Sequence, residues 1–312
     1  MSDFKSLSTA NLPDPPINNA ENKEAVDHFN TVTPYSGTSG DKVITGVGFQ
    51  PDWVWIKQTN SAADHQLYDS VRGVTKLLES NQNLDEQTKS EGLKSFDSDG
   101  FTHGVESAGN DNTGTHVAWN WKMGGTAVSN SNGSLTSSVS ANTTAGMSVV
   151  TYTGNKTNGA TVGHGLSQTP EMLMTKARNH TVGWAVWHTG LSGMTYWMSL
   201  NDTAGEAVDD MYTAVSATTF TLGEDNWTNG SGYNFVTYCF HSVEGFSKFG
   251  SYVEHYVSDY DADSPYVHTG FRPAFLMIKG TSNGRNWVIY DNKRTPDDGV
   301  YLVANTNAAE AT

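Results

Sequence analysis

The chain has 312 residues, of which 36% are hydrophobic, 11% aromatic and only 16% charged. Its 33 acidic and 18 basic residues give a formal net charge of −15, which repels phosphate backbones and argues against nucleic-acid binding. One cysteine excludes an intrachain disulfide scaffold, and no apolar run approaches the roughly 18 residues that span a bilayer, so membrane insertion is not expected. Low charge with many Gly, Ser, Thr and Asn residues is typical of an all-β, turn-rich protein.

Residues 1–30 have the composition of an extended arm. They contain Pro13, Pro15 and Pro16 and almost no large apolar residue. Such a segment cannot bury enough apolar surface to pack as a unit of its own. We therefore predict that this N-terminal arm anchors the protein to a partner.

Three stretches of the chain, called repeats one, two and three below, carry one motif at constant spacing. In each, a proline is followed six residues later by a lysine and eighteen residues later by an Asp or His. These positions are Pro51, Lys57 and Asp69 in repeat one, Pro170, Lys176 and His188 in repeat two, and Pro273, Lys279 and Asp291 in repeat three. Constant spacing with divergent residues between is the signature of internal duplication, so we predict an array of one module.

Each repeat begins with a predicted hairpin. The residues before the lysine are apolar at both odd and even positions, so a strand there has two apolar faces. This pattern is typical of a strand covered on both faces. In a symmetric hairpin the lysine lies opposite the residue eight positions on. That residue is His65 in repeat one, Trp184 in repeat two and Trp287 in repeat three. We predict a lysine stem packed on a ring with its ammonium group in water, and not a catalytic lysine.

Two further positions recur after the hairpin. An Asp-x-x-Arg pair occurs as Asp69–Arg72 and Asp291–Arg294, whereas repeat two has His188 and Leu191. Its loss in one repeat indicates a local ion pair that fixes a turn. An Asn lies five residues before a Glu in every repeat, at Asn81, Asn201 and Asn305. We predict that this Asn caps a brief helical turn.

The second half of the module is present only in repeats one and two. It predicts closing strands at 101–104 and 116–121 in repeat one, and at 219–223 and 234–241 in repeat two. Repeat three has no such half before residue 312, so we expect either a truncated chain or completion by another segment or subunit. The predicted fold is all-β, with tandem β-sandwich modules of jelly-roll or concanavalin-like type at 31–128, 147–248 and 249–312, and a linker at 129–146.

Sequence motifs of catalysis are missing. There is no nucleophile elbow, phosphate loop, dinucleotide fingerprint or zinc helix, and no strand carries the carboxylate pair that a glycosidase needs. We therefore predict a protein that is not an enzyme and has no catalytic or cofactor-binding residue. Asp259, Asp261 and Asp263 have the acid spacing of a calcium loop but lack its glycine and downstream Glu. Calcium there is kept as an alternative to a solvated acidic loop.

Aromatic side chains beside polar loops are the remaining candidates for a function. Trp227, Tyr212 and Tyr260 lie in or next to such loops. An exposed ring beside Asn and Asp can stack on a sugar and bond its hydroxyl groups, and it can also contact a protein. These three residues are the predicted ligand or partner contacts.

The module resembles a repeated domain of predicted virion proteins of marine tailed bacteriophages. The segments that carry the resemblance are 48–57 (GFQPDWVWIK), 68–73 (YDSVRG), 96–101 (FDSDGF), 162–166 (VGHGL) and 245–252 (GFSKFGSY). The resemblance covers nearly everything from about residue 31 onward. It implies a virus-particle component with a lectin-like sandwich but no particular ligand, and in that family the third module usually runs on further.

Two classes of function follow from this resemblance. In the first, a tail-fibre or head-fibre adhesin is held to other virion proteins by the arm and displays loops to a host surface glycan. Such a protein is expected to form a homo-oligomer, with a trimer as the usual state. In the second, the chain is a capsid decoration or tail-associated structural protein whose arm clamps its neighbours. A glycan-cleaving enzyme is a minor alternative, and the expected location is the virion, assembled in the host cytoplasm.

Overall fold

The structure is a computed structural model that describes residues 25–253, 266–282, 284–294 and 299–312. Over these residues the fold is all-β, as the composition predicts, and it is built from antiparallel sheets. Two single helical turns lie within the repeats in the described part of the chain, α1 (Ser107–Asn110) and α2 (Asn226–Asn229). No helix in the described part of the chain is both long and apolar enough to cross a membrane.

Repeat one is a sandwich of two sheets. Its strands are β1 (Phe29–Ser36), β2 (Lys42–Ile44), β3 (Trp53–Gln58), β4 (Gln66–Asp69), β5 (Lys76–Leu77), β6 (Gln87–Thr88), β7 (Leu93–Asp97), β8 (Gly100–His103) and β9 (Thr115–Trp121). The larger sheet has the order β1-β9-β3-β4 and the smaller one β2-β8-β7, while β5 and β6 form a two-stranded ladder. Val54, Tyr68 and Phe101 belong to the small core of this repeat, to which both sheets contribute.

Repeat two has the same topology with an extended sheet. Its strands are β10 (Val128–Asn130), β11 (Ser137–Asn142), β12 (Met147–Thr153), β13 (Thr161–Gly163), β14 (Met172–Ala177), β15 (Ala185–His188), β16 (Tyr196–Ser199), β17 (Ala207–Val208), β18 (Tyr212–Val215), β19 (Thr219–Leu222) and β20 (Asn234–Phe240). The sheet order is β10-β11-β12-β20-β14-β15-β16-β17, in which β12-β20-β14-β15 matches β1-β9-β3-β4. The predicted closing strands are thus confirmed as β8, β9, β19 and β20.

Repeat three contributes one three-stranded sheet to the described structure. It consists of β21 (Phe275–Lys279), β22 (Trp287–Asp291) and β23 (Leu302–Val303), in that order. The predicted hairpin is confirmed, because Lys279 lies directly opposite Trp287 in the register. Trp287, Ile289 and Leu302 are buried among residues of the other two repeats.

The segment 129–146 is not an irregular linker, as the sequence analysis expected. It completes β10 and holds the whole of β11, which pairs antiparallel with β12. Ser137 and Val139 are buried on β11, and the Ser137 hydroxyl donates to the carbonyl of Gly163 at 2.7 Å. Small residues hid this strand from the sequence, because their burial needs neighbours that only the sheet supplies.

The three repeats form a closed ring through equivalent backbone hydrogen bonds. The N–H of the recurring Glu in each repeat donates to the carbonyl two residues after the recurring lysine of the next repeat. The bonds are Glu86 to Arg178, Glu206 to Thr281 and Glu310 to Thr59, each 2.8 Å long. Repeat one thus contacts repeat two, repeat two contacts repeat three, and repeat three returns to repeat one. A head-to-tail interface that closes on itself in this way is the intramolecular counterpart of a cyclic trimer.

The aromatic residues opposite the recurring lysine, His65, Trp184 and Trp287, also make contacts between repeats. Each donates or shares a hydrogen bond with a carbonyl of the preceding repeat: Trp184 with Glu79 at 2.9 Å, Trp287 with Ser199 at 2.8 Å, and His65 with Val303 at 3.0 Å. The recurring Asn does not cap a helix, since residues 81–86, 201–206 and 305–310 contain none. Its side-chain oxygen instead accepts from the backbone N–H of the same ring residues, at 3.0, 2.8 and 2.7 Å.

In repeats two and three the recurring lysine is also an inter-repeat contact. Its predicted exposure is wrong for Lys57 and Lys176, whereas Lys279 is partly exposed. Lys57 and Lys176 are 0% exposed. The ammonium group of Lys176 donates to the Ala177 carbonyl at 3.0 Å and lies 3.4 Å from the Asn83 carbonyl of repeat one. Lys279 donates to the Ala204 carbonyl of repeat two at 2.8 Å. Backbone carbonyl groups therefore take the place of the water that was expected around the ammonium groups of Lys176 and Lys279.

The stability of the fold is expected to rise between about pH 8 and pH 9.5. Burial lowers the pKa of Lys57 and of Lys176 to about 8, whereas lysine in an unfolded chain keeps a pKa of about 10.4. In this interval the unfolded chain binds more protons than the folded one, so the free energy of unfolding increases with pH, by on the order of 1 kcal/mol for each lysine. Urea midpoints should show the rise, and Lys176→Met should remove about half of it. A flat profile in the wild-type chain would contradict this prediction.

All three repeats share one hydrophobic core. It joins the inner faces of the three large sheets and includes Trp53 and Trp119 of repeat one, Tyr238 of repeat two and Trp287 of repeat three. Trp53 lies between two rings, with centroids 4.1 Å from Trp121 and 4.6 Å from Tyr238. Because these contacts cross the boundary between repeats, the three repeats form one folded unit and not independent sandwiches.

The Asp-x-x-Arg pair fixes a turn, as predicted, and it also joins repeats. The Asp69 carboxylate accepts from the backbone N–H groups of Val71 and Arg72 and forms a buried ion pair with the Arg72 guanidinium. Its Oδ2 additionally accepts from the hydroxyl of Tyr238 in repeat two at 2.7 Å. In repeat three, Asp291 Oδ2 accepts from the indole Nε1 of Trp119 in repeat one at 3.1 Å.

Candidate functional site

A cleft of mixed polar and apolar lining lies between the end of β9 and the β11 strand, at the junction of repeats one and two. It has a volume of about 670 Å³. We call it the Asp52 cleft; it is lined by Gln50, Asp52, Ser70, Lys122, Met123, Gly124, Gly125, Thr126, Ala127, Ala141, Asn142 and Thr143. Residues from four separate parts of the sequence meet here because β3, β9 and β4 are neighbours in one sheet and β11 packs behind the loop that follows β9.

Asp52 is the charged centre of this cleft. It precedes β3 directly and is almost fully buried. Its Oδ1 accepts from the Ser70 hydroxyl at 3.0 Å, and its Oδ2 accepts from the Gly125 backbone N–H at 3.2 Å. Burial raises the pKa of the Asp52 carboxyl, while the hydrogen bonds from Ser70 and the backbone and the nearby Lys122 charge oppose that rise. The hydrogen bonds from Ser70 and Gly125 thus hold the carboxylate in place in the wall of the cleft.

The backbone around residues 124–125 forms the wall beside Asp52. Gly125 has a φ of +73°, in the left-handed region that favours glycine, and Gly124 packs so closely on the Ala141 backbone that a side chain would collide with it. The Asn142 side chain donates to the Lys122 carbonyl at 2.9 Å and accepts from the Ala145 N–H at 3.0 Å. These bonds fix the loop that carries Lys122, so the cleft is preformed.

The arrangement suits binding of a polyol better than acid–base chemistry. Of the described residues that line the cleft, Asp52 alone carries a carboxylate, whereas glycoside hydrolysis ordinarily uses two. A carboxylate, a serine hydroxyl, two amide side chains and a lysine supply both acceptors and donors within one concave surface. Sugar hydroxyl groups, each of which donates and accepts, are matched by such a mixture.

The predicted contact residues lie elsewhere. Tyr212 is fully buried, and its hydroxyl donates to Thr175 Oγ1 at 2.7 Å, so its prediction as an exposed ligand contact is wrong. Trp227 is half-buried and packs edge-on against Trp197 at 4.9 Å, beside Gly183. The structure does not bring these residues together with the Asp52 cleft.

Tyr260 and the acidic triplet Asp259, Asp261 and Asp263 lie outside the described residues. In the part of the chain that the structure describes, no group of three or more His, Cys, Asp or Glu side chains is placed to hold a metal ion. The Asp52 cleft could not be predicted from the sequence, because its residues are common types that lie far apart in the chain. The Gly124–Gly125 pair after an aromatic strand was the one local signal of a tight wall.

Fold and cleft together define the class of this protein as an all-β, three-repeat body with a cleft at the junction of repeats one and two. The chain belongs to the family defined by a domain of unknown function (DUF7483), which matches residues 24–312. One family domain therefore spans all three repeats, in agreement with their shared core. No curated protein and no solved structure matches the chain.

Proposed function

We propose that the protein is a bacteriophage virion structural protein of the fibre-adhesin kind, whose three-repeat body presents the Asp52 cleft to a glycan of the host surface. The observation that carries this proposal is the preformed cleft, in which a buried carboxylate lies beside hydroxyl, amide and ammonium groups. The resemblance of the repeated segments to tailed-phage virion proteins supports a particle component. The N-terminal arm is proposed to hold the body to other virion proteins.

A binding role agrees with how the recurring polar residues are used. Lys176, Asn81, Asp69 and Glu86 recur in matching positions, and each contacts the neighbouring repeat or closes a hairpin. The recurring polar residues, which are the ones a repeated active site would use, thus form structural contacts between and within the repeats. The Asp52 cleft lies at the junction of repeats one and two, where β10 and β11 extend the sheet of repeat two.

Replacement of Asp52 tests the proposal. We expect the wild-type chain to retain a subset of neutral glycans on an array, and Asp52→Asn to weaken binding about 10- to 100-fold, because a hydrogen bond to a charged group is lost. Glu171→Gln is the matched control: Glu171 occupies the same position of repeat two and bonds the Ser242 N–H at 2.5 Å, but it does not line the cleft. Equal loss in both variants at unchanged thermal stability, or no glycan retained by the wild type, would overturn the adhesin proposal.

A capsid decoration or tail-associated protein is the second candidate. Val253 and Tyr266, which precede β21, are each 88% exposed, and contact with another protein would cover them. Imaging of intact particles with a label on the N-terminal arm distinguishes the two functions. A few copies projecting from the tail or shell would support the adhesin, and hundreds lying flat on the shell would support decoration.

A further inference from the structure

One of the three junctions of the ring carries a histidine where the other two carry a tryptophan. Trp184 contacts repeat one from repeat two, Trp287 contacts repeat two from repeat three, and His65 contacts repeat three from repeat one. All three side chains are buried. Histidine ordinarily changes its charge between pH 5 and pH 8. The junction of repeats three and one thus has a titratable group where the other two have an indole.

The hydrogen-bond partners of the His65 imidazole fix it in the neutral form. The indole Nε1 of Trp55 can only donate, and it donates to Nδ1 of His65 at 2.8 Å. The proton of the neutral imidazole therefore lies on Nε2, which donates to the Val303 carbonyl of repeat three at 3.0 Å. A second proton would set the N–H groups of His65 and Trp55 against each other. Protonation would therefore cost the closed junction a buried hydrogen bond.

The charged groups around His65 also oppose a positive imidazole. Burial lowers the pKa of His65 to about 3, and the positive charges of Lys57 on β3 and of Arg294 in repeat three lower it further within that shift. Three carboxylates act on these two cations: Asp64 on Lys57, and Asp291 and Glu310 on Arg294. The closed junction thus surrounds the imidazole with two cations and a donor, all of which favour its neutral form.

We propose that acidification opens the contact between the β3–β4 hairpin of repeat one and residues 303–310 of repeat three, and leaves the two tryptophan junctions closed. In the open form His65 is solvated and has the ordinary histidine pKa of about 6.5. Below that pH the open form binds a proton that the closed form does not, so the open form gains up to about tenfold per pH unit. Between pH 7.5 and pH 4.5 its population should rise about 100-fold. This conformational switch is separate from the Asp52 cleft and goes beyond the proposed function.

Amide exchange of the full chain at pH 7.5 and pH 4.5, corrected for the intrinsic exchange rates, measures the opening. The Glu310 N–H donates to the Thr59 carbonyl and the Ala63 N–H to the Asn307 carbonyl, so these two reporter amides lie in the proposed contact. Their protection factors should fall about 100-fold, whereas that of the Glu86 N–H, at the junction of repeats one and two, should change less than about threefold. Unchanged protection of the reporter amides, or an equal fall at Glu86, would overturn the proposal.

Two substitutions separate His65 from the other histidines that titrate in acid. Glutamine keeps an acceptor and a donor but does not titrate, so His65→Gln should reduce the fall at the reporter amides to less than about threefold. His164→Gln is the matched control. His164 Nδ1 accepts from the Leu166 N–H at 3.1 Å and its Nε2 lies 3.1 Å from the Ser216 carbonyl, but both partners belong to repeat two. This control should leave the fall unchanged, and the opposite result in either variant would overturn the proposal.

A measurement on the wild-type chain keeps the proposal testable if His65→Gln fails to fold. The ring carbon shifts of His65, followed by NMR between pH 8 and pH 4, should change together with the loss of protection at the two reporter amides. Titration of His65 at about pH 6.5 while both reporter amides stay protected would show that the closed junction accepts the proton, and would overturn the proposal.

Discussion

Asp69→Ala is expected to lower the free energy of unfolding by about 3–5 kcal/mol, because it leaves the buried Arg72 guanidinium without its main counter-charge. The Asp69 and Arg72 side chains are both 0% exposed, and the same carboxylate accepts from the Tyr238 hydroxyl across the repeat boundary. The nearby Glu86 carboxylate, 3.2 Å from Arg72, compensates only in part, since it also pairs with Arg178 at 2.9 Å. Chemical denaturation of the purified variant measures the effect.

Repeat two supplies the control for this variant. The double variant Asp69→His, Arg72→Leu copies the residues that repeat two carries at the same positions, His188 and Leu191. Because no unpaired charge remains, we expect less than half the destabilisation of Asp69→Ala. A double variant less stable than Asp69→Ala would show that packing, and not the buried charge, determines the loss.

Trp53→Ala is expected to destabilise the protein by about 3–5 kcal/mol and to affect two repeats at once. The Trp53 ring lies 4.6 Å from Tyr238 and 5.9 Å from Phe240, both on β20 of repeat two. Removal of the ring therefore opens a cavity in the core that the repeats share. Amide exchange should become faster in β20 as well as in β3, and both should unfold in one transition.

Val54→Ala is the matched control for the shared core. Val54 follows Trp53 on the same strand but faces the local core of repeat one, together with Tyr68 and Phe101. Its truncation should speed exchange in β3, β7 and β8 first and leave β20 protected. If Trp53→Ala also left β20 unchanged, the repeats would be unfolding as separate units.

Local patterns predicted much of the fold. The hairpins of all three repeats and the closing strands β9 and β20 follow from alternation and from constant spacing, both of which depend on residues close in sequence. The Asp69 turn was likewise predictable, because its N–H partners are two and three residues away. The strand β11 was not, since Ser137 and Ser140 have no apolar signal and are buried only by their neighbours in the sheet.

The candidate site was beyond the reach of such patterns. Asp52, Ser70 and Gly125 lie up to 73 residues apart in the chain. They meet because the start of β3 and the ends of β4 and β9 lie at the same edge of one sheet. Tyr212 had the sequence context of a surface aromatic, yet β18 places it in the core against Thr175. Loop composition indicates which residues tolerate water, and it does not indicate which of them the sheets will cover.

By itself the sequence determined that the chain is all-β and built from three repeats, because strand periodicity and repeat spacing are written in residues near one another. Only the tertiary structure decided that the repeats close into a ring. The bonds that close it, such as Glu310 to Thr59 and Trp119 to Asp291, join residues more than 170 positions apart. The spacing of the motif residues in the sequence does not show whether their side chains face water or the next repeat. The burial of Lys57 and Lys176 and the shared core therefore depend on how the three sheets pack around one another.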